Sequence, residues 1–231
     1  MRKILFVSFL FMVFIACQKA PQSEEEWKSL FDGETLDGWT VRGGKGDFYV
    51  EDGMIIGNST MNVDNSFLCT EQEFSDFILQ YDVKIDSGIN SGMQIRSHVW
   101  QHDTTTAYLS GSGERGERTW KAGRLWGYQI EIDPSDRAWS GGFYEEGHRG
   151  WLVTLADKDS ARQAFKPNEW NSFKVKAKGN HFQTWVNGVK AVDTTDDMSD
   201  SGFLGLQLHS INDEELVGHK VYWKNIKIKE L

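Results

Sequence analysis

Apolar and polar residues alternate with a period of two along most of this chain, and almost nowhere with the 3.6-residue period of an amphipathic helix. Residues 77–85, FILQYDVKI, and 171–178, NSFKVKAK, read as two such strands. Comparable segments at 47–51, 54–56, 92–98, 128–132, 151–156, 181–186, 189–192, 202–209 and 221–229 are bounded by Gly, Asn and Asp, and they predict strands joined by turns. Between TWV and VKA, Asn187-Gly188 predicts a two-residue hairpin turn, because both residues tolerate positive φ. So many short strands imply an all-β sandwich or barrel. The Gly- and charge-rich stretch 99–126 reads as a long loop in which Trp100 or Trp120 lids a cleft. No internal repeat or interdomain linker interrupts residues 26–231, which read as one domain.

The start of the chain departs from this pattern. Arg2 and Lys3 precede an apolar run from Ile4 to Ile15 that ends in Ala16-Cys17. The run is shorter than the roughly 20 residues of a membrane-spanning helix, but it has the charged start and apolar centre of a secretory signal. A small residue before a cysteine resembles the lipobox of bacterial lipoproteins. Residues 1–16 are therefore expected to be a lipoprotein signal peptide, Cys17 the lipidated first residue of the mature chain, and 17–25 an acidic tether. The expectation is an exported cell-envelope lipoprotein whose membrane contact is its N-terminal lipid anchor; an ordinary cut near Ala20 changes the anchoring but not the export.

The formal net charge is −9, and it becomes more negative when Arg2 and Lys3 leave with the signal. So acidic a chain disfavours nucleic acid and anionic lipid as partners. Cys69 is the only cysteine after Cys17, which leaves no intrachain disulfide, and within FLCT it reads as a small buried hydrophobe. Stability must come from a core, for which 14 Phe, 10 Trp and 6 Tyr supply the area.

Three of the strands have polar faces of uncommon composition. GMQIRSH carries Gln94, Arg96 and His98 on one side, GYQIEID carries Gln129, Glu131 and Asp133, and GLQLHS carries Gln207 and His209. Side chains two apart on a strand project to one face, about 6.6 Å apart. Solvated faces usually carry Thr, Lys, Ser and Glu, so these sets point to a ligand-binding surface if the strands are neighbours. The following stretch DRAWSGGFYEEGHRGWL (136–152) offers aromatic and charged contacts, chief among them Tyr144 and Arg149, with Trp151 divided between core and cleft.

Several segments, in order, resemble one known family: SLFDGETLDGW (29–39), VEDGMIIG (50–57), NSGMQIR (90–96), GYQIEID (127–133), KPNEWNSFKVKAKGN (166–180), TWVNGV (184–189), GFLGLQLHS (202–210) and the closing VYWKNIKIKEL. They are similar to the 3-keto-disaccharide hydrolase domain family of the concanavalin A-like lectin/glucanase superfamily. The resemblance implies a jelly-roll β-sandwich of two curved antiparallel sheets, the concave one holding carbohydrate. Superfamily glucanases carry E-x-D-x-(x)-E along one strand, and the matching positions here are Gln129, Glu131 and Asp133. An amide at 129 cannot attack a sugar carbon, which removes the nucleophile of double displacement.

The resemblance implies another chemistry. Once a partner oxidoreductase has made a ketone at sugar carbon 3, a base removes the hydrogen on carbon 2, the glycosidic oxygen leaves carbon 1, and water adds to the product. That scheme assigns Glu131 as base with His209 as runner-up, Arg96 as charge stabiliser, and Asp133 or His209 as proton donor, while Gln94, His98, Gln129, Tyr144, Arg149 and Gln207 contact substrate. No cofactor is required, although Glu131, Asp133, His98 and His209 make a divalent cation an alternative stabiliser. A carbohydrate-binding module without catalysis, and an ordinary glycoside hydrolase, are the competing expectations.

Overall fold

The computed structural model describes residues 26–110 and 112–231; the expected signal peptide, Cys17 and tether lie outside the described residues. In chain order its strands begin with β1 (Lys28–Ser29), β2 (Trp39–Arg42), β3 (Asp47–Glu51), β4 (Met54–Asn58), β5 (Ser66–Phe74), β6 (Phe77–Ile85), β7 (Ser91–Val99), β8 (Thr104–Leu109) and β9 (Arg115–Trp120). They continue as β10 (Leu125–Ile132), β11 (Phe143–Glu146), β12 (Gly150–Val153), β13 (Asn171–Lys178), β14 (His181–Val186), β15 (Val189–Thr195), β16 (Gly202–Leu208) and β17 (Lys220–Glu230). The helical elements are single turns at Asp159–Arg162 and Glu214–Leu216.

Two sheets pack face to face as a jelly-roll sandwich. One runs β15-β14-β13-β6-β17-β4-β3 with β1 beside β17, and the other runs β2-β5-β16-β7-β10-β11-β12-β8-β9. Alternation decides which side chains meet between them: β6 buries Phe77, Leu79, Tyr81, Val83 and Ile85, while the facing sheet contributes Met93, Ile95, Tyr128, Ile130 and Ile132. Tyr81 stacks on Phe173 at 5.1 Å and Tyr128 on Phe143 at 5.0 Å. Burying each such side chain is worth about 1.5–3 kcal/mol, so this interlayer core carries the stability of the described residues, among which no disulfide forms. Cys69 is part of a smaller apolar cluster, and burial pushes its thiol up to about 12. At the β14–β15 hairpin, Asn187 and Gly188 adopt φ of 48° and 83°, the geometry their pairing predicted.

The long loop expected at 99–126 is instead a hairpin, β8–β9. Its strands are exposed or half-exposed along most of their length, so they show no apolar alternation, and Gly and charge outweighed the strand preference of Thr104, Thr105, Thr106 and Tyr108. The hairpin joins the sheet through a parallel contact of Gly150 with Leu109. Five strand positions separate β8 from β16 in the sheet order, about 24 Å on a flat sheet, yet Tyr108 and His209 line one cavity. The nine-stranded sheet is therefore strongly curled, with the hairpin folded over its concave side.

A bulge between β7 and β10 corrects the expected place of Arg96. Trp126 pairs with His98 and Tyr128 with Ile95, so Arg96 and Ser97 together oppose Gly127. Arg96 takes φ 45° and Gly127 φ 146°, and a Cβ at 127 would lie 2.6 Å from the Ser97 Cα. The extra residue reverses the alternation, and Arg96 turns away from the concave face. Its guanidinium, 1% exposed, donates to the carbonyls of Ser75 (2.7 Å), Gly179 (2.7 Å) and Ser199 (3.2 Å) and to Asp76 (3.1 Å). It also lies 5.1 Å from the Phe182 ring of β14. Arg96 ties the two sheets together. Arg96→Met is expected to lower the unfolding free energy by about 3–5 kcal/mol, because it strips donors from buried carbonyls and a carboxylate. Urea denaturation checks this, and an unchanged midpoint would contradict the tie.

Candidate functional site

The three strands with unusual polar faces are neighbours, in the order β16-β7-β10. Register then brings their amides together, for Gln129 is the Cα partner of Gln94, and Gln94 of Gly205. The Ser97 hydroxyl donates to Gln94 Oε1 (3.0 Å), Gln94 Nε2 to Gln129 Oε1 (2.6 Å), and Gln129 Nε2 to Glu131 Oε2 (2.9 Å). Each amide accepts at one end and donates at the other, so the chain of bonds has one direction and ends on a carboxylate. Gly92, paired with Glu131, gives this chain its room: a Cβ there would fall 2.4 Å from the Gln129 side chain.

Glu131 is 4% exposed, and three side chains replace its water. Besides Gln129, Asn90 Nδ2 (2.9 Å) and Arg137 Nη2 (3.1 Å) both donate to Oε1. Among the described residues Oε2 takes a single donor, and it keeps a lone pair for a ligand proton. Desolvation outweighs the Asn90, Gln129 and Arg137 contacts and raises the carboxyl from 4.5 to about 7.

Asp133 does not share this exposure to the cavity. It anchors the turn after β10, accepting from the Ser135 amide (3.1 Å) and hydroxyl (2.6 Å) and from Arg137 Nε (2.7 Å). Arg137 thus lies across both carboxylates, with its guanidinium 4.9 Å and 5.1 Å from the Trp139 and Trp151 rings.

A cavity of about 340 Å³ opens above Glu131, and Gln129, Arg137, Tyr144, Gln207 and His209 are among its walls. Glu146, Trp151, Asn90 and Tyr108 complete it. A second cavity of about 720 Å³ continues it toward Trp120 and Arg118, sharing Tyr108, Tyr144, Glu146 and His209. Gln207 Oε1 is buried without a hydrogen-bond partner among the described residues. His209 Nδ1 lies 2.7 Å from its neighbour's carbonyl, Ser210 O, which assigns the proton to Nδ1 and leaves Nε2 for the cavity. Burial pushes the Tyr144 hydroxyl well above its ordinary range, so it remains a proton donor.

Of the residues expected here, Glu131, Gln129, Tyr144, Gln207 and His209 line the cavity, and Gln94 supports it from below. Arg96 and Asp133 do not line it, and neither do His98 and Arg149. His98 lies past the bulge, its ring tilted against Trp126 at 4.7 Å and bonded to Ser199 (2.8 Å). Arg149 is held by Glu145 and by Asp196 (2.8 Å) at the end of the sandwich, because Glu145 alternates inward while Tyr144 and Glu146 face the cleft. Asn90, Arg137 and Tyr108 were missed; Asn90 precedes its strand, Arg137 sits in a turn, and Tyr108 lay in the supposed loop. Trp120 of that stretch lines the larger cavity, whereas Trp100 stacks on Trp126 at 4.8 Å. Among the described residues no three His, Cys, Asp or Glu side chains converge as a metal site.

Residues 26–229 match the 3-keto-alpha-glucoside-1,2-lyase-like domain family. The chain belongs to this family. The membership supports a carbohydrate-related function, and the resemblance of the sequence segments pointed the same way. Among solved structures, a candidate glycosyl hydrolase from Parabacteroides distasonis ATCC 8503 is 24% identical with a TM-score of 0.58, over 89% of this chain and 94% of that one. The carbohydrate-binding module CBM66 from Bacillus subtilis is 17% identical with a TM-score of 0.52, over 84% and 96%. A Bacillus subtilis protein of unknown function with a galectin-like fold is 12% identical with a TM-score of 0.55, over 89% and 98%. At these identities the likeness establishes the shared sandwich. No curated protein matches the chain.

Because the folded lyase-like domain holds the Glu131 proton up to about pH 7 while the unfolded chain releases it near 4.5, stability falls as pH rises through that window. The whole effect is about 3 kcal/mol. Glu131→Gln lacks it, so its stability relative to wild type is expected to improve by about that much from pH 4 to pH 8. Equal differences at both pH values in denaturant titrations would show that Glu131 is not desolvated.

Proposed function

We propose that this protein cleaves 3-keto-glycosides or 3-keto-disaccharides, with Glu131 as the base that removes the carbon-2 proton. What carries the proposal is a desolvated carboxylate on the cavity floor, held by amides on one side and left with a free lone pair on Oε2. Its elevated proton affinity suits a base working near neutral pH. The C–H electron pair passes to the carbon-3 oxygen as an enolate; when the carbonyl re-forms, carbon 1 and carbon 2 become doubly bonded and the glycosidic oxygen departs. Water then adds across that bond.

Arg137, with N–H groups beyond those bound to Glu131 and Asp133, takes the charge-stabilising part first given to Arg96. The proton that Glu131 takes from carbon 2 returns to the leaving oxygen, and His209 Nε2 and the unpartnered Gln207 Oε1 accept from sugar hydroxyls. Asp133 acts through Arg137 as a positioning residue. The elimination needs no protein nucleophile, so the neutral Gln129 serves to orient Glu131. An oxidoreductase supplies the ketone, and the protein works as an exported envelope lipoprotein.

On a 3-keto-glucoside, Glu131→Gln is expected to lose at least about 100-fold in kcat. Wild-type activity is expected to rise with pH through about 7, the ionised carboxylate being the active form. The unoxidised parent glycoside should release no aglycone. Release from the parent would restore ordinary hydrolysis, and glycan binding without turnover of either compound would make the protein a binding module.

A further inference from the structure

The face of the sandwich opposite the cleft carries an ordered field of lysines. On the outer side of the eight-stranded sheet, Lys227 pairs with Gln80, Gln80 with Lys174, Lys174 with Trp185 and Trp185 with Lys190, one row across five strands. Lys84 and Lys224 stand in adjacent rows, and Lys176 alternates with them on β13. Aromatic rings lie beneath these ammonium groups: Lys174 is 4.8 Å from Trp185, Lys224 is 3.9 Å from Trp170, Lys84 is 4.5 Å from Tyr222, and Lys227 is 5.1 Å from Trp27. The rings restrict the long stems, and each ammonium group, with three N–H donors, keeps donors beyond its ring contact.

Two carboxylates on this face are hydrogen-bonded, Asp82 by a neutral amide that leaves its charge in place and Asp193 in an ion pair with Lys190. Asp82 accepts from Asn225 (2.7 Å), and Asp193 from His181 (2.6 Å), Gln183 (2.7 Å) and Lys190 (2.7 Å). Lys84, Lys174, Lys224 and Lys227 have no ion-pair partner among the described residues. In a chain of net charge −9 the lysines are thus concentrated on one sheet, whereas Arg42, Arg96, Arg115 and Arg118 stand on strands of the other.

We propose that this outer face docks on a bilayer surface bearing anionic phospholipid. Two observations favour a bilayer over a soluble polyanion. The face is a broad lysine lattice with tryptophans at its margins, suited to many phosphates in a plane. The chain also enters the domain here: β1 pairs with β17, and Trp27, 39% exposed, lies over Lys227, so residues 1–25, with their lipobox-like Cys17, join the domain beside the lysines. Docked in this way, the domain turns its cleft away from the membrane.

Full-chain protein would be incorporated into vesicles of phosphatidylcholine alone and of phosphatidylcholine with phosphatidylglycerol, and its lysines labelled by a soluble acetylating reagent with mass-spectrometric readout. Lys174, Lys176, Lys224 and Lys227 are expected to label severalfold more slowly on the anionic vesicles, with the protection lost in high salt, while Lys45 and Lys121 label alike on both. The triple substitution Lys174→Gln, Lys224→Gln, Lys227→Gln changes only outward side chains and is expected to abolish the protection of Lys176. Flotation with neutral vesicles reports the lipid anchor separately. Equal labelling on both vesicles, protection centred on Lys121, or equal protection by a soluble acidic polysaccharide would each overturn the proposal.

Discussion

A carboxylate leaves water only if other groups take over its hydration, and the architecture of the cleft follows from how this is done for Glu131. Backbone strands cannot do it, because their donors are committed to the sheet ladders. Side chains on three adjacent elements do it instead: Gln129 from the same strand, Asn90 from the approach to the neighbouring strand, and Arg137 from the turn beyond. The replacement is incomplete, and the residual cost appears as the raised proton affinity. The same imbalance makes the group useful for proton transfer and a burden to stability above neutral pH.

The amide chain that supports Glu131 depends in turn on the bulge at Arg96. A regular strand would have carried Arg96 onto the concave face beside Gln94; the extra residue brings Ser97 there and sends the guanidinium to the other sheet. One irregularity therefore provides both the hydroxyl that orients the Gln94 amide and a buried clamp between the layers. Gly127 and Gly202 accommodate it, since a Cβ at either would lie within 2.6 Å of the β7 backbone. Arg137 then supplies a cation to the cleft from a turn, where its approach to Glu131 is set by Asp133.

The two outer faces of the sandwich have opposite characters. The curled sheet closes around amides, carboxylates and aromatic rings, with β8–β9 as an added wall, whereas the other sheet presents lysines over tryptophan and tyrosine. Net charge averages these faces and describes neither. Strand alternation sorts the lysines of FILQYDVKI, NSFKVKAK and VYWKNIKIKEL to a single side.

Local pattern by itself determined the strands of regular alternation, the hairpin at Asn187-Gly188, the fold class, and the gathering of Gln129 and Glu131 on one polar face. Period-two alternation is a property of each strand, so it is legible without knowing the neighbours. Only the tertiary structure decided which polar strands lie side by side, that the 99–126 segment pairs with itself and folds over the sheet, and that Arg96, His98, Asp133 and Arg149 point elsewhere. Each of those outcomes depends on a bulge, a turn, or a pairing between distant segments. Such features arise from competition for buried space and hydrogen-bond partners across the whole molecule, which a single strand's pattern does not record.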